Sequence, residues 1–186
     1  LAARDCTGRG QPVELEVLVP MISWASELAS VCAAVERVHD EGFEERRPSF
    51  THRVGAMVEL PRACLIAGEL AHLSELFSFG GNDLTQTVLG VSREDASRFL
   101  PSYLNELGLV EGDPFTCLDE TVVELMRAAL ERARAVRPTL VAGLCGDQGG
   151  SPPSIEACER LGLDFVSAPL SQLPGARLAA AQARLR

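Results

Sequence analysis

Glu59, Asp83 and Cys145 are the residues of this chain best suited to chemistry, because each stands where an apolar, strand-like run gives way to a turn. Glu59 sits near the end of a run at 54–60. Asp83 follows the run at 75–79 through Gly80, Gly81 and Asn82, and Cys145 closes a run at 139–145 ahead of Gly146-Asp147-Gln148-Gly149-Gly150. Parallel α/β folds bind ligands at the carboxyl ends of their strands, so these stretches are expected to share one rim. Two carboxylates there suit a hard divalent ion. Mg²⁺ takes one or two from a protein and fills its other octahedral positions with water and substrate oxygens. The alternatives are an ion pair between Glu59 and Arg62 and a turn-capping role for Asp83. A thiol beside a glycine and just before a helix start can exchange a proton near neutral pH, whereas a free cysteine elsewhere is as a rule a small core residue. Gly80 and Gly81 permit close backbone approach, so N–H groups there could face a phosphate or carboxylate; a plain strand-to-loop turn is the other reading.

Composition narrows the chemistry. With 186 residues, 46% hydrophobic and 23% charged, the chain reads as one globular domain spanning 1–186. All 17 basic residues are arginine, so a Schiff-base enzyme and a lysine-bearing phosphate loop are both excluded. Against them stand 26 acidic residues, and the net charge of −9 disfavours a nucleic acid partner. A small anionic substrate would need a local cation, which a metal held by two acids supplies. No apolar run reaches the ~18 to 20 residues of a membrane span, and residues 1–10 do not read as a signal peptide, so the expected location is the cytoplasm. Six cysteines without a C-x-x-C pair suggest reduced thiols rather than a zinc cluster or disulfide framework. His39, His52 and His72 have no ligand spacing. The start on Leu1 in place of Met, close to a strand-like run, reads as a piece of something longer.

The elements that must position these groups follow from periodicity. Strands are expected at 14–22, 54–60, 75–79, 139–145 and 163–168. Between the first two lie a helix capped at Ser23, with Trp24, Leu28, Val31, Val35 and Val38 on one face and a stop at Gly42, and then a loop over 44–53. Pro61 opens a helix to about residue 72. Residues 84–114 are mixed, with a short helix at 92–100 and otherwise a long loop suggestive of function or of a lid. Asp119 caps a helix that aligns Val122, Met126, Ala129, Ala133 and Val136. Ser151-Pro152-Pro153 starts another helix, and 174–185 is a last one. Five strand–helix alternations without a hairpin signal argue a parallel α/β sheet. It is either an open doubly wound sheet or a (β/α)₈ barrel lacking about three units.

Several stretches decide between these: VLVPMI (17–22), VGAMVELPRA (54–63), FSFGGNDLTQ (77–86), SREDASRFLPSYL (92–104), DPF (113–115), GLCGDQGG (143–150) and GLDFVSAPLSQLPGARLAAAQ (162–182). In this order they resemble the C-terminal phosphoenolpyruvate/pyruvate-binding barrel of the phosphoenolpyruvate-utilising enzymes. The SR-D-FLP-YL and DPF stretches set the likeness on the pyruvate, phosphate dikinase branch. The resemblance implies an α/β fold, the C-terminal portion of a (β/α)₈ TIM barrel with about five βα units. It implies that Glu59 and Asp83 bind Mg²⁺, that Glu59, Gly80, Gly81, Asn82 and Asp83 line the phosphoenolpyruvate or pyruvate pocket, and that Cys145 is the proton donor. The implied reaction interconverts ATP, phosphate and pyruvate with AMP, diphosphate and phosphoenolpyruvate. It runs through a phosphohistidine on a swivelling domain that, like the ATP-binding domain, is absent from this chain. The implied assembly is a homodimer. Four positions depart from the family pattern, which has threonine at Gly81, glutamate at Asp147, histidine at Gln148 and arginine near Gln172. The family's substrate-gripping arginines lie on earlier strands outside this chain. A truncated non-catalytic fragment and a Mg²⁺-dependent lyase or aldolase of related barrel type are the alternatives.

Overall fold

A computed structural model describes residues 2–41 and 51–185, so the expected helix stop at Gly42 and most of the 44–53 loop fall outside the described residues. A short helix α1 (Ala2–Gly8), not foreseen from the sequence, precedes β1 (Glu14–Val19). That strand stops short of residue 22 because Pro20 has no N–H to give the ladder and Met21 turns to a positive φ of 54°. Next come α2 (Ala25–Glu41) and β2 (Thr51–Val58). β2 begins three residues earlier than expected. Thr51, His52 and Arg53 lie in register with Glu14, Leu15 and Glu16, and the Arg53 guanidinium pairs with Glu16 across the two strands. Charged residues that read as loop therefore extend the strand at an exposed edge.

Pro61 opens a helix as expected, but Ile66 (φ −98°, ψ 17°) divides it into α3 (Pro61–Leu65) and α4 (Ala67–Leu73). After β3 (Leu76–Gly80) the chain passes directly into α5 (Gly81–Leu89) and then α6 (Arg93–Asn105), so the long loop expected over 84–114 is largely helical. Two successive glycines read as a turn. What makes them a helix start is the burial of Leu84 and Thr85 one turn later. Ser92 caps α6 by accepting from the Asp95 N–H, and Asp119 caps α7 (Glu120–Val136) by accepting from Thr121. β4 (Val141–Cys145), α8 (Pro152–Leu161), the two-residue β5 (Phe165–Val166) and α9 (Leu173–Leu185) complete the order.

The five strands pair in parallel in strict sequence order, β1-β2-β3-β4-β5. A doubly wound sheet reverses its strand order at a switch point. No reversal occurs among the described residues, and right-handed crossovers in a sequential sheet place the helices on one side, as successive staves of a barrel do. Of the face foreseen on α7, Val122, Met126, Ala129 and Ala133 are buried in the main core, while Val136 is exposed. Burying a side chain such as Met126 fully is worth roughly 1.5–3 kcal/mol, which fastens α7 to the core against α3 and α4. The stripe foreseen on α2 is buried only at Leu28. α2 packs on α4 and β2, and Trp24, which precedes the helix, lies exposed beneath the guanidinium of Arg62. Ser23 does not cap α2 with its side chain. Its N–H and that of Trp24 both donate to Glu27 Oε2, at 2.7 and 3.0 Å. Among the described residues no helix is long and apolar enough to cross a membrane.

Candidate active site

The strand register sets the three chemical groups side by side. Gly80 at the end of β3 is the Cα partner of Cys145 at the end of β4, and Val58 of β2 is partnered with Phe79. Glu59, one residue further, therefore flanks Gly80 on one side as Cys145 does on the other. Glu59 and Cys145 thus stand at the level of Gly80, a position that has no side chain.

Glu59 is only 3% exposed, and its carboxylate is held from two directions. The Met21 N–H, on a residue with positive φ, donates to Oε1 at 2.7 Å. Oε2 lies against Gly80, so closely that a Cβ there would overlap it. Burial pushes the Glu59 carboxyl above the usual carboxylate range. The Met21 N–H opposes this, and Asp83 reinforces it through both its charge and its side-chain contact. Glu59 and Asp83 thus converge as expected. Neither alternative holds: Arg62 donates to Ser23 O at 2.8 Å and lies over Trp24, and α5 starts without a side-chain cap.

Asp83 lies in the first turn of α5, where a negative charge is favoured by the helix dipole. Its Oδ1 accepts from Gln86 Nε2 at 3.2 Å. Beside it the Asn82 Oδ1 accepts from the Asp147 N–H at 3.2 Å, which ties the start of α5 to the turn after β4. The Cys145 thiol, partly exposed, donates to Phe79 O at 3.5 Å. Cys64 and Cys158 are buried, and desolvation pushes both thiols up to about 12, so they serve as core residues.

Gly81 and Gln148, two of the departures noted in the sequence, touch. A Cβ on Gly81 would stand 2.7 Å from Gln148 Oε1. Gln148 is fully buried, and its Nε2 donates to Pro114 O at 3.2 Å and reaches Thr85 Oγ1 at 3.4 Å. A carbonyl can only accept, so Pro114 fixes the amide with Oε1 toward Gly81, where that oxygen has no partner.

Sequence reasoning missed Met21, Gln86 and Arg93 as parts of this rim; Asp147 was placed on it with the turn after the fourth strand, but without a partner. Arg93 was visible only as a letter in the SREDASRFLPSYL stretch. The structure brings its guanidinium to 2.5 Å from Asp147 Oδ2.

Among the described residues no group of three or more His, Cys, Asp or Glu side chains is arranged to hold a metal ion. The donor set is the facing pair Glu59 and Asp83. A buried Glu59 carboxylate that faces a half-buried Asp83, and is raised by burial and by that neighbour, fits a hard divalent cation that supplies the missing positive charge.

The chain matches the family model described as PEP-utilising enzyme, PEP-binding domain, over residues 4–185. Pyruvate, phosphate dikinase 2 of Oryza sativa subsp. japonica is 43% identical over 185 residues, covering 99% of this chain and 21% of the relative. Pyruvate, phosphate dikinase of Rhizobium meliloti (strain 1021) is 46% identical over 177 residues, covering 95% and 20%. That of Clostridium symbiosum is 43% identical over 171 residues, covering 91% and 20%. The chain spans about a fifth of the length of the curated relatives it matches.

Proposed function

The chain belongs to the PEP-utilising enzyme family, in the part of it that forms the PEP-binding domain, and from that premise we propose that it carries the metal and proton-transfer end of a pyruvate, phosphate dikinase-type site. The substrate is phosphoenolpyruvate or pyruvate, and the whole enzyme would interconvert ATP, phosphate and pyruvate with AMP, diphosphate and phosphoenolpyruvate. The observation that carries the reading is the convergence of Glu59 and Asp83 beside Gly80, with Cys145 at the same level on the next strand.

Glu59 and Asp83 would hold Mg²⁺. When bound, that ion supplies positive charge against which an enolate oxygen is stabilised. The remaining work belongs to the chain. Gly80 leaves room for the Glu59 carboxylate, and the Met21 N–H keeps that carboxylate turned inward. Asn82 joins the α5 start to the β4 turn, so that the two sides of the pocket keep one spacing. Cys145 holds a proton that its sulfur shares with Phe79 O and delivers to the methylene carbon as phosphoenolpyruvate becomes pyruvate, or takes back from the methyl carbon in the other direction. The phosphoryl group would arrive from a phosphohistidine outside this chain.

Proton exchange between the methyl group of pyruvate and deuterated solvent, followed by NMR in a complete enzyme containing this sequence, tests the assignment. The exchange is expected to vanish in Cys145→Ala and to need a divalent ion. Exchange that persists unchanged in Cys145→Ala removes the thiol from the mechanism.

A further inference from the structure

We propose that Gln86 and Arg93 are positioning residues of this site, which hold the Asp83 carboxylate and the turn following Cys145 in a single register. The proposal rests on the reading that Glu59 and Asp83 hold a divalent cation. It starts from a closed ring of hydrogen bonds. Gln86 is one helical turn beyond Asp83, and its Nε2 donates to Asp83 Oδ1 at 3.2 Å. Its Oε1 accepts from the Arg93 N–H at 2.9 Å. An N–H can only donate, so this second bond fixes the amide orientation and leaves the NH₂ for Asp83. The Arg93 guanidinium donates to Asp147 Oδ2 at 2.5 Å and to Phe115 O at 3.3 Å, and it lies 5.6 Å from the centre of the Phe115 ring. The ring closes where the Asp147 N–H donates to the side chain of Asn82, the residue next to Asp83.

Each bond has a consequence for the rim. With Oδ1 of Asp83 occupied by Gln86, the other oxygen is left for the space shared with Glu59. Arg93 connects three separate pieces of chain: the start of α6, the 113–115 stretch and the turn that follows Cys145. Its ion pair with Asp147 is about half exposed on both sides, so by itself it adds little stability. Its value is geometric. A long insertion separates β3 from β4; the Asn82 bond ties its first residues to the strand-4 turn, and this guanidinium ties the start of α6 to the same turn. Residues that orient metal ligands through hydrogen bonds typically cost 10- to 100-fold in metal affinity when removed.

The test is Mn²⁺ binding to this 186-residue chain, read by electron paramagnetic resonance, with thermal unfolding of the same samples. Gln86→Leu is expected to weaken Mn²⁺ about tenfold while shifting the unfolding midpoint of the metal-free chain by only a few degrees. Arg93→Gln should weaken it in the same direction, and the double variant should be little worse than either single one, because both open one ring. Asp147→Asn, an isosteric change at a half-exposed side chain, breaks the ion pair with little threat to folding and is expected to weaken Mn²⁺ as well. If the unaltered chain binds Mn²⁺, Glu59→Gln abolishes binding, and Gln86→Leu and Asp147→Asn leave it intact, the metal site stands and the positioning role is wrong. A chain that takes up no Mn²⁺ overturns both.

Discussion

The Glu59 carboxylate occupies the volume that a side chain on Gly80 would fill: a Cβ built on Gly80 would come within 2.7 Å of Glu59 Cβ and still closer to Oε2. Gly80 has φ −82°, a value open to any residue, so glycine is needed here for space and not for conformation. Gly80→Ala should therefore act on the site before it acts on the backbone. We expect a loss of about 1–3 kcal/mol from overpacking and at least a tenfold loss of Mn²⁺ affinity as Glu59 is pushed aside. Unfolding and metal titration of one preparation measure both, and undiminished affinity would show that the carboxylate is not held by this contact.

Glu59→Gln should separate stability from function. Burial and the neighbouring Asp83 raise the Glu59 carboxyl, so the folded chain keeps a proton that the unfolded chain has already released. Stability from this group is full below the ordinary carboxylate pKa and is lost as pH rises through the raised one. A glutamine keeps an oxygen for the Met21 N–H and carries no charge. The variant is expected to match the parent near pH 4 and to exceed it at neutral pH, by a gap that grows as pH rises through the raised Glu59 pKa. Thermal unfolding of both proteins across this pH range measures the difference, other ionisations being common to the two. A gap that does not widen with pH would mean that Glu59 is not a strained carboxylate.

The same linkage governs the cation. A divalent ion must displace any proton held by the Glu59 and Asp83 pair, so its affinity should climb as pH rises through the raised Glu59 pKa and level off above it. Calorimetric titration of Mn²⁺ in two buffers of different ionisation enthalpy will show proton release at the acid end of this window and none on the plateau. Proton release that is absent throughout would place the ion elsewhere.

What the sequence disclosed and what it hid divide along physical lines. The placement of Glu59, Asp83 and Cys145 at or just beyond strand ends was legible because apolar runs mark strand ends well. The sequential strand order needed the structure, since alternation alone fits an open sheet equally. Helix α5 was concealed by Gly80 and Gly81, whose local preference for a turn is overridden by the burial of Leu84 and Thr85. Trp24 and Val38 fit a helical stripe, but both are exposed, Trp24 beneath the Arg62 guanidinium. Met21, Gln86 and Arg93 act through a backbone bond, an amide relay and an ion pair to a residue 54 positions away, and none of these leaves a periodic trace.

Gly81 and Gln148 provide a last test, because two departures from the family pattern meet at one contact. The amide oxygen of Gln148 stands where a threonine at position 81 would need room, and the Cys145 carbonyl, 3.1 Å from the same Cβ position, bars escape on that side. Gly81→Thr alone should thus force Gln148 off Pro114 and Thr85, at a cost of about 1–3 kcal/mol. Gln148→His alone loses the hydrogen bond to Pro114 O or strains to keep it, and it removes a buried oxygen that has no partner, so its cost should be smaller. With both changes the threonine has space and its hydroxyl has a ring nitrogen near it. The double variant should then be more stable than the two single effects predict by at least about 1 kcal/mol. Denaturant unfolding of the four proteins closes this cycle. If the effects simply add, within about 0.5 kcal/mol, the two positions vary independently and their contact has no bearing on why glycine and glutamine occur together.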